Sequence, residues 1–310
     1  MNRPATEVVL QRCDGYDLPV VEAAVYSALA GLSHGNFHGK TVLLKPNLIA
    51  ASGPALACTH PHCIAAVAAW FHGHGARVLV GDSPAFGSAA KVCDKHGITK
   101  ALARLDVRLV EFTTPVRQRL SGGVTVTVAA EALECDLLVG LPKVKAHNQM
   151  YVTLAVKNLF GIVVGVGKAM MHMVHGRGHR HFAGILLDLL DLLPQQLHVA
   201  DGICAMHVSG PLDGRPLPLY CIAAAQSPVA MDTALLSVLE LDHECSPLWQ
   251  EAEARKLLGS DGAMIGYPCL LPQDFKGAGF IAPMQLNPVR FNPCRFLRGM
   301  MRRVILRLRS

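Results

Sequence analysis

The sequence contains few charged residues, few aromatic residues and no long apolar run. Only 17% of its 310 residues are charged and 5% are aromatic, whereas 51% are hydrophobic. This hydrophobic fraction excludes disorder for most of the chain and is enough for one large domain or two small ones. The longest apolar runs, 63–71 and 159–167, are far shorter than the roughly 20 residues of a membrane-spanning helix. We therefore expect no transmembrane helix.

Targeting segments and cysteine motifs are also missing. The N-terminal residues include Arg3 and Arg12 and contain no apolar core of the length that a secretory signal needs. The ten cysteines are scattered, and no two of them have the Cys-x-x-Cys spacing of a zinc ribbon or a ferredoxin. We therefore predict a cytoplasmic protein in which most cysteines are small core residues.

Acidic residues are absent after Asp274, so the net charge of +6 is unevenly distributed. Residues 275–310 carry one lysine and seven arginines, whereas residues 1–274 carry 21 basic and 23 acidic residues. Because the basic character belongs to the C-terminal segment, it gives no reason to expect nucleic-acid binding by the rest of the chain. We predict an α/β domain over residues 1–274 and a basic C-terminal tail over residues 275–310.

The tail has the pattern of an amphipathic helix over residues 296–309. Leu297, Met300, Val304 and Leu308 share one stripe, and arginines lie on both sides of it. This pattern is typical of a helix that lies on an anionic membrane surface, and equally of a terminal helix that packs on its own domain. Peripheral membrane contact through this helix is therefore one of two predictions.

Short β-branched and leucine-rich runs alternate with helical patterns along the chain. This alternation is typical of βαβ units and predicts an α/β fold, with a mostly parallel sheet flanked by helices. Ligands of such sheets bind in a crevice at the carboxyl ends of the strands. Strands are expected near 7–10, 41–44, 77–80, 107–112, 124–128, 136–139, 197–200 and 219–222, and helices near 18–33, 61–75, 87–97, 150–160, 184–193 and 228–240.

Polar residues directly follow four of the predicted strands. Turn formation explains the glycines and prolines there, but it explains less well the lysines that leave buried strands. Because the strand ends share one edge, we expect these side chains to form a single site for a small anionic ligand. They are Lys45, Asn47, Asp82, Lys143, Lys145, His147 and Asp201.

Several motifs, in their order along the chain, resemble those of a known family. The most specific part combines Lys143-x-Lys145-x-His147 with Thr153-x-x-x-Lys157-Asn158. Over about residues 40–240 the chain is similar to the family called domain of unknown function 362 (DUF362). The other motifs that carry the resemblance are residues 42–48, 59–61, 81–84, 199–203 and 210–214.

The resemblance implies one further site residue, and one function of the family is not carried over to this chain. It implies that His181, within the histidine-rich segment 172–181, belongs to the site, because family members tend to carry a histidine there. Many members also have a ferredoxin-like segment with two four-cysteine iron–sulfur motifs near the C-terminus. Only Cys269 and Cys294 lie in that region of this chain, so an iron–sulfur role is not carried over.

Residues 150–160 are expected to form a helix that carries part of the site. Thr153 and Lys157 would then share one face, with Lys143 and Lys145 in the loop before the helix N-terminus. The free N–H groups and the positive dipole end of a helix start favour an anion. The alternative is a solvated basic loop with Lys157 on the helix surface. The glycine-rich run 161–168 lacks the Walker A spacing and is expected to form a lid.

Metal binding stays open at this point. Cys58, His60, His62 and Cys63 offer ligands for zinc or iron. Ligands two residues apart around a proline do not all converge on one ion, and Cys63 is expected to begin a buried helix. The sequence therefore names no metal and no cofactor.

Two functions from different classes are compatible with these residues. The first is a cytoplasmic enzyme that acts on a small phosphorylated or carboxylate metabolite, with His147 as the acid–base group and Asp82 and Asp201 as carboxylates that orient it or pair with a lysine. For both aspartates, capping of a turn is the alternative. The second function is a non-catalytic ligand-binding protein or a redox or iron–sulfur-associated accessory protein. The predicted ligand-binding residues are Lys45, Asn47, Lys143, Lys145, Thr153, Lys157, Asn158 and His181.

Overall fold

The computed structural model describes residues 6–32, 35–164, 171 and 178–288. Strands and helices alternate along most of this length. The strands are β1 (Thr6–Arg12), β2 (Thr41–Pro46), β3 (Arg77–Asp82), β4 (Val107–Glu111), β5 (Pro115–Arg119), β6 (Thr125–Ala129), β7 (Leu137–Leu141), β8 (Lys143–His147), β9 (Tyr151–Thr153), β10 (Gln195–His207), β11 (Arg215–Ala225) and β12 (Ile265–Gly266). The α-helices are α1 (Leu18–Ala30), α2 (Pro61–Gly73), α3 (Ala89–Lys95), α4 (Ile98–Leu102), α5 (Ala130–Leu133), α6 (Ala155–Asn158), α7 (His179–Asp188), α8 (Pro228–Val238) and α9 (Pro247–Ala254).

A mixed sheet with mostly parallel pairings organises the chain, as the sequence predicts. Its strands follow the order β12-β1-β11-β10-β7-β2-β3-β4, and β10, β7, β2, β3 and β4 are all parallel. β11 runs antiparallel to both β10 and β1. β8 pairs with the second half of β10, and β9 folds back on β8 as an antiparallel hairpin. The carboxyl ends of β2, β3 and β7 therefore lie side by side at one edge.

Helices cover both faces of this sheet, because successive strand residues point to opposite sides. Val42 and Leu44 of β2 pack into an apolar cluster with α1 and α2, whereas Leu43 packs on the other side with α6 and α7. A third cluster joins α8 to β1 and β11 around Leu235. The buried strands thus form a rigid sheet, and polar side chains can extend from its carboxyl edge.

The expected helix near 150–160 is wrong in its first half. Residues Tyr151–Thr153 form β9, and only Ala155–Asn158 are α-helical, followed by a 3-10 turn over Leu159–Ile162. The reason is the hairpin, since Val144, Ala146 and Val152 bury their side chains in the cluster under α8. Alternate burial on a pleated hairpin outweighs the apolar run that favours a helix.

Residues 275–288 lie against the α/β domain. Phe275 and Phe280 are buried in the α8 cluster, and the backbone N–H of Asn287 donates to the carbonyl of Asn148 at 2.6 Å. The amphipathic pattern at 296–309 lies outside the described residues. Among the residues that the structure does describe, no helix is long and apolar enough to cross a membrane.

Candidate functional site

A cavity of about 410 Å³ lies at the carboxyl ends of β2 and β3 and beside the β8–β9 hairpin. We call it the site cavity. The loops after β2, β3 and β10 form its apolar wall, with Ile49, Pro84, Phe86 and Leu212. Eight residues that the sequence analysis names line it together: Lys45, Asn47, Asp82, Lys145, His147, Thr153, Lys157 and Asn158.

Lys45 and Asp82 form a buried ion pair at the base of the site cavity. Lys45 Nζ lies 2.9 Å from Asp82 Oδ1 and donates to Asn158 Oδ1 at 3.2 Å. The second carboxylate oxygen of Asp82 accepts the backbone N–H of Leu48 at 2.9 Å. Burial lowers the pKa of Lys45, and the charge of Asp82 opposes that shift. Asp82 therefore compensates one of the three lysine charges in the cavity.

Gly161 is required where the chain passes this ion pair. A Cβ atom added to Gly161 would lie 2.1 Å from Asp82 Oδ1 and 2.3 Å from Lys45 Nζ. The carbonyl of Gly161 also accepts the N–H of Ser83 at 3.2 Å. Residue 161 thus closes the base of the cavity with its backbone, and any side chain there would displace the pair.

Lys145 reaches the cavity from β8 and is held by neutral acceptors. Its Nζ donates to Asn47 Oδ1 at 2.6 Å and to the carbonyl of Ala57. Asn47 in turn donates through Nδ2 to Asn158 Oδ1 at 2.9 Å. Burial, with the nearby charges of Lys157 and Lys143, lowers the pKa of Lys145 to about 7. A buried ammonium without a bonded carboxylate favours a bound anion.

Lys157 extends from the short helix α6 into the same cavity. Its Nζ lies 4.9 Å from the centre of the Phe160 ring. Among the described residues it forms no hydrogen bond and no ion pair. Burial and the charge of Lys45 lower its pKa to about 8.

His147 lies at the end of β8 with its ring orientation fixed by the following turn. Its Nδ1 accepts the backbone N–H groups of Gln149 at 3.1 Å and Met150 at 3.2 Å. The proton of the neutral imidazole therefore resides on Nε2. This arrangement orients the imidazole ring at the wall of the cavity.

The N-terminus of α6 is not an anion site, contrary to the expectation for this segment. Asp232 of α8 accepts the N–H of Ala155 at 2.7 Å through Oδ1, and Val156 donates to both of its oxygens at 3.3 to 3.4 Å. Burial raises the pKa of Asp232 to about 8, and the two N–H donors oppose that shift. The helix start thus binds this chain's own carboxylate.

Lys143 and Asp201 form a second buried cluster, separate from the site cavity. Lys143 Nζ lies 2.9 Å from Asp201 Oδ2 and donates to the hydroxyl of Tyr16 at 2.7 Å. Tyr16 donates to Asp201 Oδ1 at 2.7 Å, and its ring stacks on His60 with centroids 3.8 Å apart. The Lys143 ammonium, the Asp201 carboxylate and the Tyr16 hydroxyl each have a partner within the cluster. Neither Lys143 nor Asp201 is among the residues that line the cavity.

The sequence matches the family described as Domain of unknown function (DUF362) over residues 42–237. This match covers well over half of the chain and spans the whole set of cavity lysines. The chain belongs to the DUF362 family. A thylakoid-associated protein from Synechocystis sp. is 33% identical over 305 residues, which cover 97% of this chain and 95% of that relative.

Two solved structures are similar to this DUF362 chain in fold alone. The lactate racemase apoprotein from Thermoanaerobacterium thermosaccharolyticum aligns over 75% of this chain, with a TM-score of 0.48 and 11% identity. A protein from Thermotoga maritima aligns over 70%, with a TM-score of 0.46 and 8% identity. The chain spans 57% of the length of each of these structures.

Other predicted features of the DUF362 chain lie elsewhere. His181 is exposed on α7 and lines a surface depression with Arg180 and Arg255, away from the site cavity. The lid expected over 161–168 falls largely on residues outside the described ranges. Within those ranges, no group of three or more His, Cys, Asp or Glu side chains is placed to hold a metal ion.

Sequence reasoning missed two buried polar residues of this DUF362 chain, Asp232 and His198, and the half-buried Tyr16. His198 of β10 packs against Gly140 of β7, and neither of its ring nitrogens has a hydrogen-bond partner among the described residues. Burial, together with the charge of Lys45, lowers the pKa of His198 to about 3. A single carboxylate or imidazole inside an apolar run, as at Met231-Asp232-Thr233, is the sequence pattern that indicates such residues.

Proposed function

We propose that this DUF362 protein is an enzyme that acts on a small anionic metabolite, a carboxylate or a phosphate, bound in the site cavity. The observation that carries the proposal is an excess of positive charge. Among the described residues that line the cavity, three are lysines and one is an aspartate, which pairs with Lys45. Lys145 and Lys157 thus remain to attract an anion. A volume of about 410 Å³ lies within the usual range for small-molecule sites.

The same groups are suited to acid–base chemistry. A general acid or base is most effective when its pKa is close to the working pH. The pKa values of about 7 for Lys145 and about 8 for Lys157 meet this condition. His147 adds an imidazole, a side chain suited to proton transfer, whose Nδ1 accepts two backbone N–H groups. Two or three proton-transfer groups around one anion favour an enzyme over a passive carrier.

Binding and turnover are measured separately to test this proposal. Thermal shift and calorimetry with pyruvate, lactate, 2-oxoglutarate, glycerol 3-phosphate and inorganic phosphate report binding, because a ligand stabilises the folded state by mass action. Any ligand that binds is then incubated with the protein and followed by NMR. Conversion of the ligand supports an enzyme. Binding without conversion supports the non-catalytic ligand-binding alternative, and binding of none of the five contradicts the anion site.

We also infer that the basic C-terminal segment holds the protein at an anionic membrane surface from the cytoplasmic side. Its seven arginines without any acidic residue support this inference, because each basic residue near such a surface contributes to the attraction. The relative from Synechocystis is described as thylakoid-associated, which also supports it. Sedimentation with lipid vesicles tests the inference.

A further inference from the structure

The lysines near the carboxyl edge of the sheet differ in what holds them. Lys45 faces Asp82, Lys145 faces Asn47, and Lys143 faces Asp201. These three ammonium groups are anchored by acceptors within 3.2 Å. Lys157 is half-buried, its Nζ lies over the face of the Phe160 ring, and it forms no hydrogen bond or ion pair among the described residues.

We propose that Lys157 is a nucleophile whose Nζ forms an imine with the carbonyl carbon of the bound anion. This inference rests on the proposed function and narrows its substrate class to small carbonyl-containing anions, such as 2-oxo acids or keto phosphates. A lysine that acts in this way needs an amine free of salt bridges, a neighbouring cation or apolar wall that favours its neutral form, and access to the ligand.

The surroundings of Lys157 meet each of these requirements. Burial and the charge of Lys45 disfavour protonation of Lys157, and the Phe160 ring lies beside its Nζ. At a pKa of about 8, about one tenth of the Lys157 side chains are neutral at pH 7, compared with well under one in a thousand for an ordinary lysine. Lys157 also lines the site cavity, so a bound ligand can reach its Nζ.

The remaining cavity groups have distinct roles in the proposed step. Lys145 and the side chain of Thr153 are placed to hold the carboxylate or phosphate, since both line the cavity beside Lys157. His147 also lines the cavity, and its imidazole is the group assigned to proton delivery to the oxygen of the reacting carbonyl. Lys45 remains bound to Asp82 and provides the charge that lowers the pKa of Lys157.

The step balances without an oxidant or a metal. The neutral amine of Lys157 attacks the carbonyl carbon, the C–N bond forms as the C=O π bond breaks, and one proton passes from the nitrogen to the oxygen to give a neutral carbinolamine. A second proton on that oxygen allows it to leave as water, and the product is a protonated imine on Nζ. One molecule of water is released for each imine formed, and no atom changes its oxidation state overall.

Reductive trapping tests this inference on the full chain. The protein is incubated with sodium cyanoborohydride and pyruvate, 2-oxoglutarate or dihydroxyacetone phosphate, and then analysed by intact mass and peptide mapping. We expect a stable adduct on Lys157 with at least one of the three. Lactate, 2-hydroxyglutarate and glycerol 3-phosphate carry the same anions without a carbonyl and should give none.

Matched variants distinguish the nucleophilic role of the Lys157 amine from the role of its positive charge. Lys157→Arg keeps the positive charge but cannot form an imine, so it should retain anion binding and lose the adduct. Lys91→Arg changes an exposed lysine on α3 and should leave the adduct unchanged. Circular dichroism and thermal unfolding of each variant show that it is folded.

The outcomes distinguish this inference from the proposed function. Binding of the oxo acids by calorimetry, with no adduct on Lys157, overturns the imine but leaves the anion site intact. Adducts spread over exposed lysines, and unchanged in Lys157→Arg, also overturn the imine. If none of the six compounds binds, both the inference and the proposed function are wrong.

Discussion

Lys45 Nζ and Asp82 Oδ1 lie 2.9 Å apart at the base of the cavity, and both side chains are almost fully buried. Lys45 is the next-to-last residue of β2 and Asp82 is the last residue of β3, so the pair links the carboxyl ends of these two parallel strands. Asp82 reinforces this link by accepting the N–H of Leu48. Because the Lys45 charge is compensated here, affinity for an anion depends on the other two lysines of the cavity.

Replacing Lys157 should weaken anion binding. Lys157→Met removes the charge but keeps most of the side-chain volume, and it breaks no hydrogen bond among the described residues. We expect a loss of about 1.5 to 3 kcal/mol in binding free energy, the value of a charge-assisted hydrogen bond, with little change in thermal stability. Calorimetry measures this loss, and Lys91→Met serves as the exposed control. Unchanged affinity would exclude Lys157 from the site.

Anion affinity should fall as the pH rises. A protonated lysine attracts the ligand and a neutral one does not, so affinity decreases once the pH passes about 7 for Lys145 and about 8 for Lys157. Where binding requires a neutral lysine to take up a proton, the binding free energy weakens by at most about 1.4 kcal/mol per pH unit for that lysine. The dissociation constant is measured from pH 6 to 9.5 in a buffer that does not bind. Lys157→Arg should remove the later part of this dependence, and a flat profile in both proteins would contradict the prediction.

The sequence predicts the sheet edge well because the relevant features are local. Lys45 and Asp82 each lie at the carboxyl end of a short buried strand, and parallel strands bring their carboxyl ends together in any such fold. Lys145 and His147 on β8 and Lys157 on α6 line the same cavity, but they reach it through the β8–β9 hairpin and the short helix, which the alternation of strands and helices does not predict.

Other parts of the site depend on contacts that are distant in the chain. Asp232 lies 77 residues from Ala155, and no local pattern connects the two. Lys143 and Lys145 are two residues apart on β8, yet one faces Tyr16 and the other Asn47. Which lysine reaches the cavity depends on how α1 and the β2 loop pack, and helical or strand periodicity does not contain that information.

Lys143 should be important for stability and not for ligand affinity. Lys143→Met leaves Asp201 buried without its cation, and such a loss costs about 3 to 5 kcal/mol. Urea unfolding measures this cost, and calorimetry on the folded variant should show unchanged anion affinity. Adding Asp201→Asn should recover part of the stability, because the uncompensated charge is then removed. Weaker binding with full stability would instead place Lys143 in the ligand site.

Gly161→Ala should disrupt the base of the cavity. The added methyl group would overlap Lys45 Nζ and Asp82 Oδ1, and forced overpacking costs about 1 to 3 kcal/mol. We expect lower thermal stability together with weaker anion binding. Gly73→Ala is the matched control, because it lies in α2 with open space around its Cβ position and should be neutral or slightly stabilising. Equal behaviour of both variants would contradict the close contact at Gly161.

The full chain should bind anionic vesicles, and a chain that ends at Asn292 should not. This truncation keeps the contacts of Asn287 with Asn148 and of Pro288 with Gln149, so the described packing stays intact. The removed segment carries most of the arginines of the tail, and its attraction to anionic lipid should weaken at high salt because ions screen it. Co-sedimentation with vesicles with and without anionic lipid, at low and high salt, measures this.

The variant Arg302→Gln/Arg303→Gln should bind less than the full chain while its apolar stripe is unchanged. If the truncated chain instead loses thermal stability and neither form sediments with lipid, the segment packs on its own domain and the membrane inference is wrong.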